Sequence, residues 1–315
     1  MSVDPVRPLE PWAPDVALAP GPDVDREPEG FVVAADDGSR LHFLDWGAVA
    51  DDDGPSVLLL PGLLQPAASW APVARRLARA RRTVVADLRG QGLSDSPMTG
   101  YDHGTLASDA VAVAEGSGLL GGGGIVVAGH GFGAIVALVA AAALGERCTG
   151  VVLVDGGWER LEVTTDVDVD EFLRGLDEPP EVLRSLDSYL ADRRGYDPSS
   201  WDADQERAAR DGVVETAAGH VVRAVRPHVV GALVHTMFGW DPAEGIVEVT
   251  SPVAALVALG AGDADQRLAE LRRTADARVA ARAGPIRVTG FPGVAHNLMR
   301  YRPAAVTAAI LEASD

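Results

Sequence analysis

The stretch best placed to carry chemistry is AGHGFGA, residues 128–134, which lies between a strand-like run (IVV) and a helical run of small residues (IVALVAAAAL). A G-x-S-x-G sequence in this setting forms a nucleophile elbow, a sharp strand-to-helix turn that presents a serine oxygen for attack on a carbonyl carbon. Here the central position is Gly131. Glycine relieves the strain of a positive φ angle, but it provides no nucleophile.

Other residue types that perform covalent or metal chemistry are scarce. The sequence has no lysine, which excludes a Schiff-base lysine, ordinary pyridoxal phosphate chemistry and the lysine of a phosphate-binding loop. Cys148 is the only cysteine, so no internal disulfide forms, and we interpret it as a buried small hydrophobe. No cofactor or metal is expected, because no metal-ligand spacing occurs among His42, His103, His130, His220, His228 and His235.

The elements that must position the elbow are short apolar runs separated by helical patterns. The runs SVLLL, TVVAD, IVVAG and GVVLVD are rich in β-branched residues, which is typical of strands buried on both faces of a parallel sheet. Helical patterns such as SWAPVARRLARA separate them, and two earlier strands (FVVAA and LHFLDWG) are joined by the turn DDGS. The sequence therefore predicts an α/β fold with a mostly parallel sheet flanked by helices.

The alternation of strand and helix changes at both ends of this region. Residues 1–30 are rich in Pro, Asp and Glu and are expected to form a flexible acidic tail. After Asp155, residues 157–246 contain acidic helical patterns punctuated by proline, which predict a helical cap inserted after the sixth strand. Strands resume at PVAALVALG and PIRVTG, so the core is expected to comprise residues 31–156 and 247–315.

Four stretches in this order resemble the α/β-hydrolase superfamily. They are LLLPGLLQPAASW, VVADLRGQGLSDSP, the elbow AGHGFGA and FPGVAHNLMRYRP. The resemblance implies a sheet of α/β-hydrolase type with its site at the carboxyl ends of the central strands, beneath the cap. Two departures from the family pattern are Gly131, where the family has serine, and Pro61, where the family often has histidine.

The resemblance also implies roles for individual residues. His296 matches the histidine that acts as general base, and the backbone N–H groups of Leu63 and Phe132 match the oxyanion hole. The carboxylate that orients the histidine is expected to be Asp263, with Asp265 and Asp155 as alternatives.

An elbow without serine leaves three functions open. The first is an enzyme that uses His296 as general base on a small, largely apolar carbonyl compound, in hydrolysis or in lyase or cyclase chemistry. The second is a catalytically inactive hydrolase-fold protein that binds a small ligand. The third is a serine hydrolase whose nucleophile has been replaced by Gly131. We favour the first.

Composition limits the partners. The net charge of −19 argues against nucleic acid and anionic membranes, which need a positive surface. The expected partner is a small-molecule substrate, and the oligomeric state stays open. No apolar run approaches the roughly 20 residues of a membrane span, and a cytoplasmic location is expected. The cap segment VVGALVHTMFGW suggests that Met237, Phe238 and Trp240 line the pocket.

Overall fold

The computed structural model describes residues 10–11, 27–47, 54–176, 185–260 and 264–314. Asp263 and most of the predicted tail therefore lie outside the described residues. The strands are β1 (Glu10–Pro11), β2 (Glu29–Ala34), β3 (Arg40–Asp45), β4 (Ser56–Leu60), β5 (Thr83–Ala86), β6 (Ile125–His130), β7 (Cys148–Val154), β8 (Val213–Glu215), β9 (Val221–Arg223), β10 (Val253–Leu259) and β11 (Ile286–Pro292).

Helices connect most of these strands. They are α1 (Ala71–Leu77), α2 (His103–Gly116), α3 (Phe132–Leu144), α4 (Leu161–Thr165), α5 (Val169–Leu176), α6 (Leu186–Tyr196), α7 (Ala203–Asp211), α8 (Pro227–Phe238), α9 (Pro242–Gly245), α10 (Ala264–Ala280), α11 (Leu298–Tyr301) and α12 (Pro303–Glu312). Short 3₁₀ helices lie at Ala67–Trp70, Leu119–Gly121, Gly145–Arg147, Pro198–Ser200 and Ile246–Glu248.

Within the described ranges, the main sheet has nine strands in the order β1-β11-β10-β7-β6-β4-β5-β3-β2. Only the pairings of β3 with β2 and with β5 are antiparallel. The expected mostly parallel sheet is confirmed. Chain order reverses between β4 and β6, and loops that leave the carboxyl ends of strands diverge at such a point to form a crevice.

Buried side chains of the central strands pack on both faces of the sheet. In β4, Leu58 and Leu60 face one apolar core and Val57 and Leu59 face the other, as the two-residue period of a strand requires. Helices α2 and α3 cover the first face, and α1 and α12 cover the second. The strands and the turns at their ends are thus held by packing from both sides.

The segment between β7 and β10, called here the inserted segment, holds α4 to α9 and a hairpin of β8 and β9. The sequence predicted only helices here, with GVVE continuing the helix before it. The structure ends α7 at Asp211 and pairs β8 with β9 instead. Adjacent valines favour a strand in both segments, and Gly219, with a φ of 77°, permits the turn between them.

None of the described helices combines the length and the apolar character that spanning a lipid bilayer requires.

Candidate active site

Gly131 lies in a sharp turn between β6 and α3. Its φ of 53° and ψ of −116° form a conformation that residues with a Cβ rarely adopt. The neighbouring glycines allow the close packing of this turn. A Cβ at Gly129 would lie 2.0 Å from the carbonyl oxygen of Gly133, and a Cβ at Gly133 would lie 2.3 Å from that of Leu60. Glycine is therefore required at positions 129 and 133 for steric reasons.

Position 131 faces His296 rather than the backbone. A Cβ built on Gly131 would lie 3.2 Å from Nε2 and 3.5 Å from Cε1 of His296. The His296 side chain is 57% exposed. The imidazole predicted from the sequence therefore reaches the elbow and stays accessible to a ligand.

Asp155 holds the opposite edge of this imidazole. Its Oδ2 lies 2.6 Å from Nδ1 of His296, and its Oδ1 accepts a hydrogen bond from the amide of Ala258 at 2.8 Å. Nη2 of Arg267 lies 3.0 Å from the same Oδ1. Asp155 is fully buried and has a φ of 53°, a conformation that costs about 1–3 kcal/mol outside glycine. These three partners hold the carboxylate in place.

The charge of Asp155 follows from its surroundings. Burial opposes ionisation, but the hydrogen bond from His296 and the charge of Arg267 outweigh it, so the pKa of Asp155 is lowered. An ionised Asp155 accepts a hydrogen bond from the N–H at Nδ1 and leaves Nε2 of the neutral ring as an acceptor. The pair thus directs a basic nitrogen at position 131.

Arg267 is the cation behind this pair. Its Nε lies 2.9 Å from Glu159, and its side chain is 9% exposed. Burial raises the pKa of Glu159 against the opposing charge of Arg267. Arg267 is therefore shared between two buried carboxylates, of which one orients His296.

His130 connects the His296 segment to the loop after β4. Its Nδ1 lies 3.1 Å from Oε1 of Gln65, and its Nε2 lies 3.1 Å from the carbonyl oxygen of His296. The two imidazole rings are 4.3 Å apart. Burial, with the charge of His296, lowers the pKa of His130 to about 3. A neutral imidazole donates to only one of these two oxygens, so His130 joins the two segments through one hydrogen bond and one close contact.

The two amides expected to form the oxyanion hole come from different segments of the chain. Phe132 is the first residue of α3, and Leu63 lies in the loop after β4. Among the described residues, neither N–H donates to a protein acceptor. The adjacent amide of Leu64 donates to Gln91, and that of Gly62 donates to Gln65 at 3.1 Å, so the loop is fixed around the Leu63 amide.

The three predicted carboxylates are placed differently. Asp155 contacts His296, whereas Asp265 is exposed near the start of α10 and Asp263 lies outside the described residues. The preferred residue of the sequence analysis was Asp263, and the described geometry supports the alternative, Asp155. The signal lies in strand order: β7 is adjacent to β6, so a residue that follows β7 lies beside the elbow.

A cavity of about 1010 Å³ separates the inserted segment from the core loops. Leu64, Gln65 and Asn297 line its core side, and Asn297 directly follows His296 in the chain. Gly131 and His296 themselves do not line this cavity. The predicted pocket residues lie elsewhere. Met237 and Trp240 are buried in the apolar core, and Phe238 stacks edge-on against Phe172 at 5.3 Å. Trp240 donates a hydrogen bond to the carbonyl oxygen of Gly157 at 2.9 Å.

In the part of the chain that the structure describes, no three His, Cys, Asp or Glu side chains are grouped as metal ligands.

Comparison with known proteins shows which sequences this chain resembles. N-formylmaleamate deformylase of Pseudomonas putida is 38% identical over 119 residues, which cover 38% of this chain and 42% of that protein. 2-(Acetamidomethylene)succinate hydrolase of Mesorhizobium japonicum is 33% identical over 102 residues, which cover 32% of this chain and 36% of that protein. The matches span less than half the length of these curated relatives.

Solved structures and a family model extend the likeness to most of the chain. A crystal structure of E-2-(acetamidomethylene)succinate hydrolase has a TM-score of 0.70 at 22% identity and covers 90% of this chain and 98% of that one. A thioesterase domain from the curacin biosynthetic pathway has a TM-score of 0.67 at 18% identity, with coverages of 90% and 99%. Residues 57–309 match the model described as "Alpha/beta hydrolase family". The chain therefore belongs to the alpha/beta hydrolase family.

Proposed function

We propose that this protein is a hydrolase in which His296, oriented by Asp155, activates water for attack on an ester, lactone or thioester carbonyl, without a side-chain nucleophile at position 131. One observation carries the proposal: the His296–Asp155 pair is intact and its Nε2 faces Gly131, where a serine would lie. A base kept in this geometry favours catalysis over ligand binding alone.

The reaction runs as two proton transfers. Water adds its oxygen to the substrate carbonyl carbon while Nε2 of His296 takes a proton, and Asp155 stabilises the imidazolium. The carbonyl oxygen becomes an oxyanion, which the N–H groups of Leu63 and Phe132 bind. The carbon–oxygen or carbon–sulfur bond to the leaving group then breaks, and the leaving group takes the proton from His296.

The magnitudes permit this chemistry on activated substrates. General-base catalysis contributes on the order of 10²–10⁴-fold, and one oxyanion donor contributes about 10²–10³-fold. These factors are sufficient for an acyl compound with a good leaving group. Two relatives are a deformylase and a hydrolase by name, and these names support a reaction that transfers an acyl group to water.

The inserted segment completes the proposed site. Residues 157–246 act as a cap in this proposal, because α6, α7, the β8–β9 hairpin and α8 all contribute walls to the cavity beside Gln65 and Asn297. A substrate held there is shielded from bulk water on the side away from the core.

The test is turnover of a 4-nitrophenyl ester by the wild type and by His296→Ala. We expect a loss of about 10²–10⁴-fold in kcat, partial recovery with added imidazole, and no burst of 4-nitrophenol in the wild type, since no acyl-enzyme forms. His235→Ala, an exposed histidine on α8, is the matched control. Equal turnover by His296→Ala and wild type would leave the binding function as the better account.

A further inference from the structure

The cavity between the inserted segment and the core loops is lined by cationic side chains, although the chain carries a net charge of −19. Four arginines line it: Arg193 from α6, Arg223 from β9, Arg226 before α8, and Arg300 from α11. None of the described lining residues is Asp or Glu.

Ion pairing elsewhere in the molecule shows the contrast. Arg75, Arg89 and Arg267 each lie within 4.0 Å of two carboxylates. Arg223, Arg226 and Arg300 have no carboxylate at that distance in the described ranges. The carboxylate of Asp197 interacts with Arg300 over a longer distance.

Two of these arginines are nevertheless held in place. Nε of Arg300 donates to the hydroxyl of Ser200 at 2.7 Å, and its Nη2 donates to the carbonyl oxygen of Asp197 at 3.2 Å. Arg223 donates to the carbonyl oxygen of Leu176. Neutral acceptors fix the two guanidinium groups and leave their charge for a ligand. Arg226 is exposed.

A neutral donor adds to the set. Ser69 lines the same cavity, and its hydroxyl oxygen is buried without a hydrogen-bond partner in the described structure. Leu173, Trp201 and Val230 supply apolar wall. The lining thus combines cations and a hydroxyl donor with apolar surface, which suits an anion with a hydrocarbon body.

We propose that the cavity selects an acyl substrate that carries a free carboxylate, held by Arg223, Arg226 and Arg300 while the scissile carbonyl lies at Gly131. This inference rests on the proposed hydrolase function and replaces the largely apolar substrate expected from the sequence. Carboxylate is the group that guanidinium forks bind in bidentate fashion.

The test compares two esters of equal chain length, 4-nitrophenyl pentanoate and mono-4-nitrophenyl glutarate. We expect the wild type to prefer the glutarate ester by roughly tenfold or more in kcat/KM. Arg223→Gln, Arg226→Gln and Arg300→Gln should each reduce that ratio by about 3- to 30-fold. Arg272→Gln, an exposed arginine on α10 outside the cavity, should leave the ratio unchanged.

Binding of glutarate, measured by calorimetry, separates this inference from the proposed function. If neither ester is hydrolysed, the hydrolase proposal fails. The carboxylate site is still supported if the wild type binds glutarate more tightly than pentanamide and if Arg226→Gln weakens the binding of glutarate. A wild-type enzyme that prefers the pentanoate ester, or that binds glutarate no better than pentanamide, overturns it. These wild-type comparisons hold even if a variant does not fold.

Discussion

Nε2 of His296 lies 3.2 Å from the place where a Cβ on Gly131 would stand, whereas a Cβ on Gly129 or Gly133 would collide with backbone atoms. The three elbow glycines therefore have different structural roles. Two of them shape the turn, and the third determines which group the imidazole meets. This difference makes position 131 the place to test the chemistry.

Gly131→Ser should convert the elbow into a serine nucleophile. The hydroxyl would lie beside Nε2 of His296, so we expect a burst of 4-nitrophenol and covalent labelling by a fluorophosphonate, detected as an added mass on residue 131. Strain at a φ of 53° should lower the free energy of unfolding by about 1–3 kcal/mol.

Gly131→Ala is the control for this variant. It introduces the same strain and a Cβ but no hydroxyl, so it should neither label nor show a burst. Labelling of the alanine variant, or a serine variant that stays unlabelled while folded, would mean that the elbow and His296 are not aligned for catalysis.

Asp155→Asn should reduce kcat by on the order of 10³–10⁴-fold, because an amide no longer stabilises the imidazolium or fixes its tautomer. Steady-state kinetics on a 4-nitrophenyl ester would measure this loss. Asp265→Asn, an exposed carboxylate at the start of α10, should have no such effect. The reverse outcome would move the catalytic carboxylate away from β7.

Arg267→Gln should destabilise the fold by about 3–5 kcal/mol at neutral pH, since two buried carboxylates lose their cation. Burial already raises the pKa of Glu159, and removal of Arg267 would raise it further. A raised carboxyl pKa favours the folded state at low pH, so the difference from wild type should shrink as pH falls. Urea unfolding between pH 5 and pH 8 would measure this pH dependence. Adding Glu159→Gln to the Arg267→Gln variant should make the pH dependence weaker.

His130 should make stability depend on pH. Its pKa falls from 6.5 to about 3 on folding, so between these values the unfolded chain binds a proton that the folded chain does not. The free energy of unfolding should therefore fall as pH decreases below 6.5, by about 1.4 kcal/mol per pH unit from this group. His130→Gln should flatten the profile, whereas His235→Gln should not. Parallel profiles for wild type and His130→Gln would refute the assignment.

Much of the fold could be predicted because the central strands are continuous apolar runs with helical patterns between them. The runs SVLLL, IVVAG and GVVLVD correspond to β4, β6 and β7. The β8–β9 hairpin was missed because its strands are three residues long and follow directly on an acidic helical pattern. Strands of that length carry too little periodicity to distinguish them from a helix end.

The parts of the site that lie in local sequence motifs could be predicted from the sequence. The elbow and His296 stand in recognisable local sequences, but the partner of His296 depends on which strands are neighbours. Strand order depends on how the sheet assembles and cannot be read from local sequence. For this reason the sequence favoured Asp263 over Asp155 as the partner of His296. The cavity arginines were missed for a similar reason, because residues 193 to 300 come together only through packing of the inserted segment.

The shape of the turn at the elbow and the identity of its central residue are separable. A Cβ on Gly129 or Gly133 would meet backbone atoms, whereas a Cβ on Gly131 would meet only the His296 side chain, which must shift by a few tenths of an ångström to make room. The same scaffold could therefore accept cysteine as well as serine at residue 131, each meeting an imidazole already in place. A single substitution at residue 131 would therefore change which reactive atom faces His296.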